Sequence, residues 1–518
     1  MQLGLWVGFI AITVFIAHLP SLTHRLLDGD EAIYGSVAAL LNQGGQLYGS
    51  GGVDNKPPGI FWVYAATFQV AGTYQMTAVH AVGLIVIVAT CALLFVIGRD
   101  IGGIRTGLLA ALFYGVLTAA GNPRLLAANT ELFMMLPLTA SVLLMLRRQW
   151  LWSGALLVAA GAFRQVAAVN VVLAVVGIFW LEPAGNRWRA FVGLAGGMAA
   201  ALAAGAVVLL WTGSLPGFWR WTVGSLYGYA STSWIPEMVW MRARDSLVPF
   251  VVDMAVFWIA AVAFAVRVWR QRDIPSPHPG AASGARPPHK WGGELVPASG
   301  EVNASPLDRL LVVWLVVAMV GSIAAGHLSW HYFIQAMGPL ALAAARCFDT
   351  LSLGRGVKAA AAVGIAVPAL AWWAYDLEAD PLTYDNAPPV PQHQLVAAYI
   401  HDHTEPSDRV FVWGNWPALY IESDRLMASR FPGFLRGFAR GSGLAPNNWD
   451  TTPNVWPELQ ADLAAHPPAL IVDTAAAGWS DFSMYPLRDY PVLADLVASR
   501  YHVVATVDRV VIYAPNSP

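Results

Sequence analysis

Charge is what this sequence has least of. Only 12% of its 518 residues are Asp, Glu, Lys or Arg, against roughly a quarter in soluble globular domains. The 30 basic and 32 acidic residues leave a formal net charge of -2, too small to suggest nucleic acid or a broad acidic surface as the partner. Cysteine is nearly missing too. Cys91 and Cys347 lie in or beside apolar runs, with no CxxC and no His spacing suited to a metal cage, so they read as packing residues. No internal repeat of fixed period is visible.

What the chain has instead is oil. Hydrophobic residues make up 57%, with 23 Trp and a mean hydropathy of +0.52, the composition of a polytopic α-helical membrane protein. Apolar runs near the length that crosses about 30 Å of hydrocarbon fall at about 3–20, 77–97, 106–121, 131–146, 151–166, 168–181, 190–212, 248–266, 309–326, 333–346 and 357–376. They predict about eleven spans. The first run lacks a basic leader and a small-residue cleavage site, so a retained helix is expected.

Basic residues mark the cytoplasmic side. Arg99 and Arg105, Arg147 and Arg148, Arg187 and Arg189, Arg267 with Arg270 and Arg272, and Arg346 with Arg355 and Lys358 fall in alternate loops. Those loops are therefore placed inside. The 270–308 stretch, rich in Pro, Gly, Ala and Ser, reads as a cytoplasmic linker. The loops 21–76, 122–130, 213–247 and 327–332, and everything after about 377, then lie on the outer side of the plasma membrane, with residues 1–376 as the multi-pass membrane domain.

Residues 377–518 change character. Amphipathic helices ("QHQLVAAYIHDHT", "YPVLADLVASRY") alternate with strands ("RVFVWG", "ALIVDT", "HVVATV", "RVVIYAP"), which predicts an extracytoplasmic α/β domain. It holds no dinucleotide fingerprint, nucleophile elbow or metal cluster, so an accessory role is expected. The stretch "WGNWPALYIESDRLMASR", Trp413 to Arg430, reads only as an aromatic-rich loop and helix.

The scarce charges gather in the outer loops. "LLDGDEAIYGS" packs Asp28, Asp30 and Glu31 just after the first span, where Asp28 or Asp30 also suits a helix N-cap. "DNKPPGIFWVYAA" follows Lys56 with a Pro pair and then Phe61, Trp62 and Tyr64, a pattern that resembles an interfacial anchor. "GNPRLLAANTELFMMLP" places Arg124 and Glu131 beside a span. Each such charge costs about 2.5–3.5 kcal/mol at membrane depth, so an ion pair of Arg124 with Glu131 or Asp30 is the plain structural expectation. "GHLSWHYFIQ" adds His327, His331 and Tyr332, and the 213–247 loop adds Arg220, Glu237, Arg242 and Arg244 among aromatics, which suits an interfacial amphipathic segment.

The order "DGDEAIY", "NKPPGIFW", "GRDIGGIRTGLLAALFYG", "NPRLLAANTELFMML" and "HYFIQAMGPLALAAAR" resembles the GT-C membrane glycosyltransferases related to protein O-mannosyltransferases and the lipid A aminoarabinose transferases. The resemblance covers roughly residues 1 to 350, with the tail similar to the outer domain that bacterial members carry. It implies transfer of a sugar from a polyprenyl-phosphate donor to an extracytoplasmic lipid, polysaccharide or protein in the cell envelope. By the same resemblance Asp30 is the catalytic base or acceptor-binding group, its motif neighbour Glu31 is the second catalytic candidate, and Lys56 meets the donor phosphate.

Arg124 is the second candidate for the phosphate, and Tyr34, Glu131, His331 and Tyr332 are candidates to border the site. Asn55 stands where some relatives have an acid, and Thr130 and Glu131 where many have Asp. No metal ligand set is carried over, and a divalent metal stays open as a cofactor. A single displacement at the anomeric carbon would invert configuration, by analogy with one-step glycosidases. The alternatives are a transporter or flippase for a lipid-linked sugar, since intramembrane charges also mark substrate pathways, and a membrane-anchored scaffold.

Overall fold

The computed structural model describes residues 2–224, 234, 236–270, 305–324, 326–351, 353–383, 393–433, 454–479, 483 and 485–516. Helix α1 (Gln2–Ala17) and the short α2 (Leu19–Thr23) lead into α3 (Gly29–Asn42) and α4 (Gly59–Ala71). Then come the long α5 (Met76–Gly102), α6 (Ile104–Leu117), α7 (Thr130–Leu146), α8 (Trp150–Gly161), α9 (Asn170–Leu181) and α10 (Arg187–Trp211). Helices Ala255–Arg270, Pro306–Ile323, Ile334–Thr350 and Arg355–Glu378 complete the apolar part.

The expected apolar runs fall on these helices, except that 3–20 covers both α1 and α2 and 248–266 spans the break between the helices Val248–Asp253 and Ala255–Arg270. Among the described residues, four helices are long and apolar enough to cross a bilayer, and a fifth span forms if the pair Val239–Asp253 and Ala255–Arg270, bent by 75°, counts as one. The rest are shorter. Large apolar side chains point outward along them, among them Leu5, Ile85, Trp188, Leu210 and Val363, a surface matched to lipid rather than to water.

Local chemistry explains the joints. Gly103, at φ +90°, turns α5 back into α6 in a conformation that only glycine adopts without cost. A Cβ on Gly197 would lie 1.8 Å from the Leu151 carbonyl oxygen, so this glycine lets α8 and α10 pack backbone to backbone. Asp28, extended at φ -150° and ψ 148°, caps α3 by accepting from the Asp30 N–H. Pro57 and Pro58 precede α4, where their fixed φ suits a helix start.

The first outer loop was expected to lie against the membrane, but it is folded into the protein. Phe61, Tyr64, Ala65 and Phe68 share one face of α4 and are buried, and of the three expected anchors only Trp62 is exposed. The reason is the helical period: positions 61, 64, 65 and 68 form one inward stripe.

Residues 409–515 build a five-stranded sheet of order β2-β1-β3-β5-β4. Its strands are β1 (Arg409–Trp413), β2 (Leu426–Met427), β3 (Leu470–Asp473), β4 (Tyr501–Val507) and β5 (Val510–Pro515). The first three are parallel, and β5 runs antiparallel to β3 and pairs with β4 as a hairpin. Asp508 and Arg509 turn that hairpin at φ 45° and 69°, the left-handed pair that two-residue hairpins need. Trp413 to Arg430 is not merely loop and helix, because it contains β2.

This domain rests on the end of the bundle that carries the acids. The Val53 N–H donates to the Arg430 carbonyl at 3.0 Å, Tyr74 Oη donates to the Arg425 carbonyl at 3.2 Å, and Arg25 pairs with Asp424. The opposite end holds the Arg346–Asp308 pair (2.9 Å) and the Arg99–Asp100–Arg147 group. The bundle thus separates the arginine-rich loops from the acid-bearing ones. Residues 271–304 of the expected linker and residues 225–233 and 235 of the expected interfacial loop lie outside the described residues.

Candidate active site

Four chain segments converge at the acidic end: the start of α3, the 53–58 segment, the 122–131 connection and the 327–332 turn. Asp28 is the buried hub. Its carboxylate accepts from Asn129 Nδ2 at 2.8 Å and lies 3.6 Å from Arg124 Nε and 3.5 Å from His331 Nδ1. Burial pushes its proton affinity up, Arg124 and His331 oppose that, and the net direction is upward.

Asp30 lies one step along α3. Lys56 Nζ is 3.5 Å from its Oδ2, and Tyr34 Oη donates to the same oxygen at 3.3 Å. Burial alone would raise its pKa, but Lys56, His331, Arg164 and Arg124 outweigh burial and hold the carboxyl well below the usual range. Asp30 is therefore ionised at neutral pH. It is also the open one: its side chain is 26% exposed, against 7% for Asp28, 4% for Asp54 and 1% for Glu131.

Lys56 is held by a local turn. Its N–H donates to Asp54 Oδ1 at 2.9 Å, and its ammonium sits 3.6 Å from that oxygen and 5.6 Å above the Tyr34 ring. The Tyr34 phenol is buried, and burial together with Asp30, Glu131 and Asp54 pushes its pKa well up, so it acts as a neutral donor. Tyr34 in turn packs edge-on against Phe61 and Tyr64 at 5.8 and 5.7 Å.

The expected ion pairs are redistributed. Arg124 joins Asp28 rather than Asp30 or Glu131, and Glu131 pairs with Arg164 Nε at 3.1 Å. Arg164 lies 4.4 Å from the Tyr332 ring, which places Tyr332 and Glu131 on one wall. His331 and Tyr332 are buried rather than interfacial. Glu31 is fully buried, accepts from Leu27 N–H (2.7 Å) and Ala128 N–H (2.5 Å), and meets His80 Nε2 at 3.0 Å. Its geometry is that of a brace between α3, α5 and the 122–131 connection.

Sequence reading missed Arg164 and Asp54. The signal for Arg164 was a lone guanidinium inside the 151–166 apolar run, and that for Asp54 was an Asp two residues before the lysine, the spacing of an Asx turn. Among the described residues no three His, Cys, Asp or Glu side chains gather as a metal site. Asp28, Asp30 and Asp54 each face a protein cation. What the arrangement offers is an open carboxylate base beside two cations, Lys56 and the 34% exposed Arg124.

Comparison with solved structures decides the fold. ArnT from Cupriavidus metallidurans, bound to undecaprenyl phosphate, matches with a TM-score of 0.60 at 12% identity, over 99% of this chain and 98% of its own. The archaeal oligosaccharyltransferase AglB from Archaeoglobus fulgidus, with an inhibitory peptide and a dolichol-phosphate, matches with a TM-score of 0.53 at 10% identity, over 100% of this chain and 74% of its own. The fold is the GT-C fold. Residues 55–211 match the family model described as dolichyl-phosphate-mannose-protein mannosyltransferase, a stretch that holds Lys56, Arg124, Glu131 and Arg164. No curated protein matches the sequence significantly. On the GT-C scaffold the acidic cluster sits where the apolar bundle meets the C-terminal domain.

Proposed function

We propose that this protein is an inverting glycosyltransferase of the plasma membrane. It moves a hexosyl or pentosyl group from a polyprenyl-phosphate donor to an extracytoplasmic lipid, polysaccharide or protein. The observation that carries the reading is Asp30: an ionised carboxylate, the most open of its cluster, 3.5 Å from Lys56. A family match over 55–211 and the lipid phosphates named for ArnT and AglB support the donor class.

The acceptor O–H or N–H gives its proton to Asp30 while its lone pair forms the new bond to the anomeric carbon. The bond from that carbon to the phosphate oxygen breaks, and its electron pair leaves with the polyprenyl phosphate. Lys56 and Arg124 meet the charge that develops there. A phosphate that shares Lys56 also weakens the grip holding the Asp30 proton affinity down, so donor binding makes Asp30 a better base. Asp28 and Tyr34 orient Arg124 and Asp30, and Glu131 with Arg164 and Tyr332 borders the sugar.

The test is release of free polyprenyl phosphate by purified protein from a panel of polyprenyl-phosphate sugars, beside Asp30→Asn with its folding checked. Loss of a general base is worth about 10²–10⁴-fold, and release should fall by that much. Full activity in the folded variant would remove Asp30 from the mechanism. No release by wild type from any donor, while lipid-linked sugar crosses vesicles, would establish a transporter instead.

A further inference from the structure

The segment that carries Lys56 is pinned by its backbone. Tyr48 Oη (2.7 Å) and Thr222 Oγ1 (3.3 Å) donate to the Lys56 carbonyl, Gln165 Nε2 donates to the Asn55 carbonyl at 2.9 Å, and the Val53 N–H donates to the Arg430 carbonyl at 3.0 Å. Two of these ties lead to the C-terminal domain. Arg430 follows β2, and Thr222 belongs to the turn Trp219–Val223, whose Trp221 packs edge-on against Phe431 at 6.2 Å.

Both ties end on one helix. Glu458 and Asp462 are four residues apart on the helix Val455–Ala465, and side chains so spaced share a face. Glu458 Oε1 takes Arg220 Nη1 at 2.6 Å, two residues before Thr222. Asp462 takes Arg430 through Nε (2.9 Å), Nη2 (2.7 Å) and its backbone N–H (2.9 Å). Asp462 holds Arg430 by both its N–H and its guanidinium fork, and so holds in place the residue whose carbonyl receives Val53. Bidentate pairs of this kind fix geometry as well as energy.

We infer that the Glu458 and Asp462 face of the C-terminal domain is a positioning device for Lys56, so that a domain expected to be accessory completes the phosphate site of the membrane domain. The inference rests on the reading of Lys56 as a donor-phosphate ligand. A binding group displaced by a fraction of an ångström loses its ligand geometry. A mere docking contact would act equally through every interdomain pair, whereas a positioning device acts only through those that hold 53–56 and 222.

The experiment measures Kd for undecaprenyl phosphate, and kcat and KM for release, on the purified full-length protein. Asp462→Asn and Glu458→Gln should each raise Kd and KM about tenfold, while Arg25→Ala, which breaks the interdomain pair with Asp424, should leave both unchanged. Joining Glu458→Arg to Arg220→Glu should restore most of the loss of Glu458→Gln. Should Asp462→Asn not fold, Arg430→Lys, which keeps the carbonyl but loses the fork, takes its place. Wild-type Kd in a folded Asp462→Asn, or equal weakening by Arg25→Ala, would overturn the inference. Wild type that binds no undecaprenyl phosphate would overturn the donor reading first, and this inference with it.

Discussion

His393 opens the C-terminal domain between two acids, and its protonation should be readable as stability. Nδ1 lies 2.9 Å from Glu422 Oε2 and Nε2 lies 2.9 Å from Asp380 Oδ2, with Trp416 against the ring at 5.5 Å. His24 faces Asp380 from the membrane side. Burial alone would lower the imidazole pKa, but Asp380 and Glu422 outweigh it and raise it from 6.5 to about 9. At about 1.4 kcal/mol for each tenfold gain in proton affinity, that rise is worth about 3 kcal/mol. The sign follows from linkage: a raised pKa means that the folded state binds the proton more tightly. The stabilisation is complete below pH 6.5 and is lost as pH climbs through about 9.

His393→Gln should therefore destabilise the C-terminal domain by about 3 kcal/mol at pH 6 and by far less at pH 9.5. Thermal melts followed by tryptophan fluorescence would show it, since Trp416 reports from beside the ring. Taking the difference between wild type and variant removes other groups that titrate at alkaline pH. An identical pH dependence in the two proteins would refute the reasoning.

Two buried pairs allow further tests. Arg164→Met strands Glu131, whose side chain is 1% exposed, and breaking such a pair costs about 3–5 kcal/mol; adding Glu131→Gln should recover part of the loss in detergent melts, and strict additivity would count against the pairing. Arg346→Met strands Asp308 at the other end of the bundle and should cost a similar amount while leaving kcat per folded protein unchanged, so a specific loss of kcat would show coupling between the two ends.

The bundle was legible because a bilayer fixes span length and orders basic loops, so each apolar run had few places to go. The sheet was legible where β-branched residues run together, as in "HVVATV" and "RVVIYAP". β2 was not, since its two residues leave no period to detect. In the candidate site, Asp30 and Lys56, and with them Tyr34, Arg124, Glu131, His331 and Tyr332, could be named because they stand in short outer-loop motifs, but which of them pair could not. Arg124 meets Asp28 across almost a hundred positions, and Arg164 meets Glu131 across a helix pair. Such choices are made by packing, which local pattern does not encode. The same limit hid Arg430 inside a stretch that read as loop.

The state of Asp30 before and after donor binding supplies the last prediction. In the free protein the carboxyl is held well below the usual range, chiefly by Lys56 acting against burial. A phosphate engaging Lys56 adds negative charge and draws the ammonium away, and both changes raise the Asp30 proton affinity. Activity needs Asp30 ionised, so rates fall as pH drops through its pKa. The acid limb of kcat/KM reports the free enzyme and that of kcat reports the donor complex. The limb of kcat should therefore lie at higher pH than that of kcat/KM, and Lys56→Met should bring the two together by raising the free-enzyme value. Coincident limbs in the wild type would mean that donor binding leaves the Lys56–Asp30 contact intact, and the positive charge met by the leaving phosphate would then have to come from Arg124 alone.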